Sequence, residues 1–175
     1  MIFEFKYRKY AGALYSSLCE NAFYVALGKS IEEGRSSKEA MLRYMEFSMV
    51  EGEKYGELYI PNDHDYGASV WSKPLDGETE AKKHHEKQLF LLNEMGEKSL
   101  KTYNAIVDFM STKAKPLISK NAWYLSIVGI HPRYQGQGLG PGLIENVLQK
   151  TDIQKVPTYL ETFTPRNMTF YKRLG

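Results

Sequence analysis

Three glycines at alternate positions are the feature of this sequence best suited to binding a charged ligand. Gly136, Gly138 and Gly140 lie between an apolar run typical of a buried strand and a helical pattern. Glycine lets the backbone approach a ligand closely, and the first N–H groups of a helix have no partner within it. Backed by the helix dipole, such donors can bind an anion such as a pyrophosphate. A glycine-rich turn that binds nothing is the plainer alternative.

Two other phosphate-binding motifs fail at this loop, and both fail at Pro141. A P-loop needs a glycine five residues after its first, and the dinucleotide fingerprint needs its third glycine there; counted from Gly136, that position is proline. Glu161 lies where a ribose-binding acid would follow the dinucleotide motif, but one residue does not restore it. A nicotinamide-dependent enzyme is therefore disfavoured.

A second cluster of reactive side chains occurs in the run KKHHEK at residues 82–87. It could suggest a metal or anion site. However, adjacent histidines on a helix point about 100° apart and do not chelate one ion together. We therefore expect a solvated helix face here and no metal site.

Composition predicts one folded domain spanning residues 1–175, with 42% hydrophobic and 25% charged residues. The net charge of +2 is too small to predict nucleic-acid binding. No apolar run is long enough to span a membrane, and charges near the N-terminus interrupt any signal-peptide core. A single cysteine, Cys19, excludes an internal disulfide. We expect a cytoplasmic protein without a membrane partner.

Apolar spacing and turn residues predict alternating helices and strands in the first two thirds of the chain. In chain order, the predicted elements are an edge strand (residues 2–7), a helix (12–29), a helix opened by the capping box of Ser36 and Glu39 and ended by Gly52 and Gly56, a hairpin (57–60 and 66–71), and one long helix or two helices broken near Gly96 (78–111).

The pattern in the last third of the chain predicts a unit of a strand, a loop, a helix and a second strand. In chain order, its elements are a strand buried on both faces (residues 123–130), the glycine loop, a helix with Leu143, Ile144, Val147 and Leu148 on one side, a second buried strand (156–163) and a short helix (167–173). The two strands should be parallel in one sheet, with a right-handed crossover between them.

The glycine loop also fits a family signature. Gln135, Gly138 and Gly140 occupy the fixed positions of the Q/R-x-x-G-x-G/A motif of the GNAT superfamily of N-acetyltransferases. AWYLSIVGIHPRYQGQGLG and VPTYLETFTPRNMTFYKRLG resemble the acetyl-CoA half of the puromycin N-acetyltransferases and their bacterial relatives, and GASVWSKP resembles a strand before their long central helix. The resemblance implies an α/β (α+β mixed) fold: a largely antiparallel sheet flanked by helices, with a splayed parallel strand pair forming the acetyl-CoA cleft.

The same resemblance implies roles for individual residues toward acetyl-CoA, the expected co-substrate. Backbone groups of Val128, Gly129 and Ile130 would pair with the pantetheine arm. Asn167 would hold the cofactor near its reactive end, and Tyr171 would stand beside the thioester sulfur. The pyrophosphate would be cradled by the amides of Gln135, Gly136, Gln137, Gly138, Leu139 and Gly140.

The sequence departs from the family pattern at two places. Pro141 replaces a residue that usually offers another amide, although proline is easily accommodated in a first helical turn. Relatives continue beyond the final RLG into one or two further strands, so we expect a chain that lacks the last strands. The bare sheet edge left beside residues 156–163 would favour association with another chain, such as a homodimer.

Transfer of an acetyl group to an amine requires a base that deprotonates the amine. Glu161, at the end of a predicted strand, is the leading candidate, directly or through a water molecule. A structural carboxylate bonded to backbone amides or to Arg166 is the equal alternative. His131 is a second candidate, although a residue before proline in a strand-end loop is more often simply exposed.

Three hypotheses follow from these residues. The first is an acetyl-CoA-dependent N-acetyltransferase acting on the primary amine of a small molecule, with transfer to a protein amine left open. The second is a non-catalytic acyl-CoA-binding or regulatory domain on the same fold. The third is the disfavoured nicotinamide enzyme. The presence of both Tyr171 and Glu161 favours the first.

Overall fold

The computed structural model describes residues 4–174, with Arg166 described by its backbone alone. Its helices are α1 (Arg8–Leu18), α2 (Ala22–Lys29), α3 (Ser37–Tyr55), α4 (Gly77–Met95), α5 (Glu97–Ala114), α6 (Glu145–Gln154) and α7 (Met168–Lys172). Its strands are β1 (Gly56–Tyr59), β2 (Gly67–Ser72), β3 (Trp123–Ile130) and β4 (Thr158–Tyr159). Short 3₁₀ turns occur at Pro132–Tyr134, Pro141–Leu143 and Pro165–Asn167.

The four strands form one mixed sheet in the order β1-β2-β3-β4. The first three strands are antiparallel to one another, and β4 is parallel to β3. Helices flank the sheet on both faces. The predicted fold class and the predicted hairpin are therefore confirmed.

The N-terminal region differs from its prediction. The single helix predicted over residues 12–29 is wrong, because the chain forms α1 and α2 with a break at residues 19–21. Asn21 begins α2 by accepting a hydrogen bond from the backbone N–H of Phe23 at 3.0 Å. The edge strand predicted at residues 2–7 is also wrong for residues 4–7, which carry no strand; residues 1–3 lie outside the described part.

The central helices follow the sequence signals more closely. Ser36 caps α3 by accepting from the Glu39 N–H at 3.3 Å, as the capping box predicts. That helix passes through Gly52 and ends at Tyr55. Two helices, α4 and α5, replace one long helix, and they meet at Gly96, whose φ of +96° favours glycine.

Apolar side chains form two clusters on opposite faces of the sheet. The first cluster packs α1–α4 against one face and includes Leu14, Met45 and Phe90. The second cluster packs α6 and α7 against the other face and includes Trp71 and Leu143. The predicted apolar stripe of α6 is confirmed in this second cluster.

A β-bulge in β3 decides which cluster each of its side chains joins. Val70 pairs with Ile127, but the next residue, Trp71, pairs with Leu125, so Ser126 is an extra residue. A one-residue insertion moves the following side chains to the opposite face. Leu125 therefore packs in the second cluster, and Ile127 packs in the first.

Neither predicted buried strand has the predicted form. Leu125 and Ile127 are buried on opposite faces of β3, but alternate residues of the strand are only half-buried, so the predicted continuous burial is wrong. The strand predicted at residues 156–163 shortens to Thr158–Tyr159, which pair with Trp123 and Tyr124. The described chain then leaves the sheet. As a result, one edge of β3 carries no partner strand over residues 126–130.

Candidate functional site

A cavity of about 830 Å³ follows the open edge of β3. Five consecutive β3 residues, 124–128, contribute to its wall. Successive side chains of a strand point to opposite faces, so consecutive residues can line one space only if that space runs along the strand edge. The cavity therefore passes from the face covered by α2, α3 and α5 to the face that carries α7.

Three of the residues predicted to act on the reacting groups line this cavity. Glu161 and Asn167 lie in the segment that follows β4, and Tyr171 lies on α7. Asn167 ends the 3₁₀ turn immediately before α7, and it lies four residues before Tyr171, a spacing that places both on the same side of this helical segment. The structure thus gathers these residues at the place where β3 and β4 separate.

Strand geometry determines which backbone groups face the open edge. The His131 N–H donates across the sheet to the Tyr66 carbonyl at 2.7 Å. In an antiparallel pair, the backbone N–H and C=O groups of successive residues point alternately toward the partner strand and away from it. The backbone groups of Gly129 therefore point toward β2, and those of Val128 and Ile130 point toward the open edge. The Ile130 carbonyl there accepts a hydrogen bond from Gln135 Nε2 at 2.9 Å. Gly129 is therefore the one member of the predicted trio that is not directed at the edge.

Two tyrosines flank Glu161. The rings of Tyr124 and Tyr159 are stacked with their centroids 4.8 Å apart. Burial first, and then the carboxylate of Glu161, raise the pKa of both phenols above the ordinary value. These phenols stay protonated at neutral pH and can only donate to the carboxylate. The Arg166 side chain, the other partner considered for Glu161, is outside the described part of the structure.

Tyr171 is a protonated phenol in this cavity. Burial raises its pKa, so the hydroxyl keeps its proton throughout the neutral range. Tyr24 of α2 lines the same cavity, and its pKa is raised by burial first and then by Tyr171. A phenol held in this state can give a proton to a sulfur that develops negative charge.

The glycine loop has the properties of an anion site. The prediction is wrong for the Gln135 amide, whose N–H donates to the Pro132 carbonyl at 3.2 Å. Within residues 4–174, none of the backbone N–H groups of residues 136–140 donates a hydrogen bond to the protein. Gly136 and Gly138 adopt φ values of +77° and +75°, and a side chain at either position would point into open space. Amides without a partner, on an exposed loop whose glycines adopt positive φ, can donate hydrogen bonds to the oxygens of a pyrophosphate.

The connection from this loop to α6 differs from the prediction. A 3₁₀ turn, Pro141–Leu143, intervenes, and α6 begins only at Glu145. Pro141 is the first residue of that turn, where its missing N–H costs nothing. Gly140 is required by packing, since a Cβ there would lie 2.8 Å from Cε2 of Phe170. The loop therefore rests directly on the helix that carries Tyr171.

His131 is placed apart from the other candidate base. It lines a separate cavity of about 390 Å³ with Arg8 and Asp65, and Glu161 and Tyr171 are not part of that wall. Its Nδ1 accepts a hydrogen bond from the Arg133 N–H at 3.3 Å, which caps the 3₁₀ turn after β3. The structure thus gives His131 a structural contact.

Several residues of the cavity wall belong to no motif that the sequence shows. Tyr24, Tyr124 and the pair Glu51 and Lys87 all line the large cavity. Lys87 belongs to the run predicted to be a solvated face, yet its side chain is only 8% exposed. Its position three residues before the buried Phe90 could have revealed this, because residues three apart share a helix face.

We expect Gly138→Val to weaken acetyl-CoA binding at least about tenfold, or about 1.4 kcal/mol. A β-branched residue is strained at φ +75°, so the loop must change shape, and the new side chain also hinders close approach of a phosphate. Calorimetry measures the effect. Gly77→Val is the control, because Gly77 has equally open space around it and lies at the start of α4. Unchanged affinity in Gly138→Val would exclude the loop as the phosphate site.

Comparison with known proteins identifies the family. Residues 54–175 match the Acetyltransferase (GNAT) family, and the chain therefore belongs to this acetyltransferase family. No helix within residues 4–174 is both long enough and apolar enough to cross a membrane.

Solved structures share the fold at low sequence identity. A histone acetyltransferase HPA2 and related acetyltransferase from Corynebacterium glutamicum is 16% identical, with a TM-score of 0.65, over 99% of this chain and 81% of that one. Arylalkylamine N-acetyltransferase 2 from Aedes aegypti is 18% identical, with a TM-score of 0.63, over 99% and 79%. An agmatine N-acetyltransferase mutant is 14% identical, with a TM-score of 0.59, over 99% and 79%.

Proposed function

We propose that this protein is an acetyl-CoA-dependent N-acetyltransferase that acetylates the primary amine of a small molecule. The observation that carries the proposal is the cavity along the open edge of β3. It joins Glu161, Asn167 and Tyr171 in one space, with a loop of unpartnered amides beyond the end of the same strand. A carboxylate and a protonated phenol in one cavity supply the two proton transfers that the reaction needs.

Different residues bind the cofactor, orient it and transfer protons. Residues 136–140 bind the pyrophosphate through their amides, and the open edge at Val128 and Ile130 orients the pantetheine arm. Bound acetyl-CoA supplies a reactive thioester. Glu161 accepts a proton from the amine, directly or through water, while Tyr171 Oη holds the proton that a departing sulfur requires. Positioning in a partly enclosed cavity contributes the remaining rate.

A small amine is supported by the cavity and by the names of two structural relatives. Six tyrosines line the cavity, and their rings suit a compact molecule with apolar surface. An arylalkylamine and agmatine, the compounds in those two names, are both small amines. The third relative is named a histone acetyltransferase, so transfer to a protein amine is the second candidate. The predicted likeness to the puromycin N-acetyltransferases likewise points to a small amine.

We expect acetyl-CoA to raise the melting temperature of the protein and NAD to leave it unchanged. The physical reason is that ligand present at 100 times its dissociation constant stabilises the folded state by about 2.7 kcal/mol. A panel of small amines, scored by release of free CoA, then tests transfer. Binding of acetyl-CoA without acetylation of any amine or peptide would support the non-catalytic acyl-CoA-binding domain instead, and stabilisation by NAD would contradict both.

A further inference from the structure

Glu51 of α3 lines the large cavity, and we call the part of the wall around it the inner end. Glu51 Oε2 lies 3.3 Å from Lys87 Nζ. Its other oxygen, Oε1, is buried and has no hydrogen-bond partner among the described residues. A buried carboxylate oxygen without a donor carries the cost of desolvation with nothing to offset it. Such an atom at a cavity wall indicates a place for a donor from outside the chain.

Lys87, in contrast, has partners on every side. Its ammonium group pairs with Glu51 and lies over three aromatic rings, at 5.1 Å from the centroid of Tyr44, 4.7 Å from Phe47 and 5.8 Å from Tyr103. These ring faces attract a cation in place of water. The inner end of the cavity therefore offers an unused acceptor, and the cation beside that acceptor, Lys87, is already engaged.

A row of tyrosines connects this inner end to the reacting groups. Tyr44 and Tyr103, two of the rings beside Lys87, have centroids 6.4 Å apart, and the centroid of Tyr44 lies 6.3 Å from that of Tyr24. Tyr24 lines the cavity together with Tyr171 and Tyr124; after burial, Tyr171 raises the pKa of Tyr24 and Glu161 raises the pKa of Tyr124, in agreement with this order. The order along the cavity is therefore Glu51, then Tyr103 and Tyr24, then the pair of Glu161 and Tyr171.

We propose that Glu51 and the tyrosines beside it form a second recognition site for the acceptor, which binds a hydrogen-bond donor at the end remote from the acetylated amine. This proposal rests on the proposed function and narrows its substrate class. The acceptor carries one amine beside Glu161, an apolar spacer along the tyrosines, and a protonated amine or a hydroxyl at Glu51. Both end groups donate a hydrogen bond, and the phenolic rings also favour a positive charge.

A matched series of acceptors tests the proposal without any mutation. Pentylamine, aminopentanol, diaminopentane and aminopentanoate share a spacer and differ only at the far end, and each has shorter and longer homologues. We expect kcat/KM and affinity to be at least about tenfold higher for diaminopentane or aminopentanol than for pentylamine, because a site built for a donor rejects analogues that lack it. Diaminopentane above aminopentanol assigns the site to a cation, and the reverse order assigns it to a hydroxyl. Preference for aminopentanoate, or no preference at any length, overturns the proposal.

Glu51→Gln assigns the preference to its residue. Replacing the carboxylate by a neutral amide should remove most of the preference for the cationic diaminopentane, whereas the amide oxygen can still accept a hydrogen bond from a hydroxyl. Asp108→Asn is the matched control, since Asp108 lines the same cavity at an exposed position and should keep the preference. If Glu51→Gln proves unstable beside Lys87, the acceptor series on the unmodified protein still decides the question. A folded Glu51→Gln protein with an unchanged preference would contradict the assignment.

Binding measurements separate this proposal from the proposed function. Calorimetric titration of each amine into the protein with CoA present requires no turnover. Selective binding of donor-bearing amines without acetylation would contradict the transferase proposal while supporting the recognition site. Acetylation of all four amines with equal efficiency and affinity would support the transferase proposal and contradict the recognition site.

Discussion

Tyr171→Phe is expected to lower kcat by roughly 10²–10⁴-fold while leaving the affinity for acetyl-CoA within a few-fold. The substitution keeps the ring, which packs against Phe170 with centroids 5.1 Å apart, and removes only the hydroxyl. Because burial raises the pKa of this phenol, its proton is present at all pH values below the raised pKa. Any alkaline loss of kcat caused by Tyr171 should therefore begin only above about pH 10.

Steady-state kinetics with an acceptor identified by the amine panel measure this effect. Tyr134→Phe is a suitable control, because Tyr134 is also a half-buried tyrosine but lies in the 3₁₀ turn after β3, away from the large cavity wall. A Tyr171→Phe protein with near-normal kcat would limit this residue to packing. An alkaline decrease of kcat that is unchanged by the substitution would also limit Tyr171 to packing.

Glu161→Gln is expected to reduce kcat by a similar factor, roughly 10²–10⁴-fold. An amide of the same size cannot accept the proton of the amine. We expect the remaining rate to rise with pH more steeply than in the unmodified protein, because deprotonation then depends on the amine alone. Tyr124 can still donate a hydrogen bond to the amide oxygen, so the fold around the site should be preserved.

Rates measured as a function of pH, with Glu80→Gln as control, distinguish a general base at Glu161 from a structural carboxylate. Glu80 is an exposed glutamate on the wall of the same cavity, so it reports the effect of losing a charge there. Equal effects of the two substitutions would mean that Glu161 contributes only local charge. A fall in thermal stability with normal kcat would make Glu161 the structural carboxylate considered as its alternative.

The elements that local signals encode could be predicted from the sequence. The capping box at Ser36, the break at Gly96 and the turn between β1 and β2 each depend on residues within a few positions of one another. The break at Asn21 was missed, because the apolar spacing continues through it and the capping side chain looks like any surface asparagine. Local patterns could not predict how soon β4 leaves the sheet.

The site was predicted only in the part that lies in the last third of the chain. Glu161, Asn167 and Tyr171 follow one another closely, and a family signature lies just before them. The remaining wall joins residues far apart in sequence, such as Tyr24 and Glu51. The insertion of one residue at Ser126 reverses the faces of β3, and alternation alone cannot reveal such a bulge.

The separation of the apolar residues into two clusters has an evolutionary consequence. The glycine loop and α7 rest on the second cluster. Tyr44 and Tyr24, which line the large cavity, belong to the first cluster. Substitutions at distant sites without shared partners usually have additive effects on stability. Substitutions among first-cluster residues that do not interact with Tyr171 can therefore accumulate one at a time while the glycine loop keeps its geometry. Because a single domain unfolds cooperatively, the stability margin of the whole domain limits how many of them it can accept.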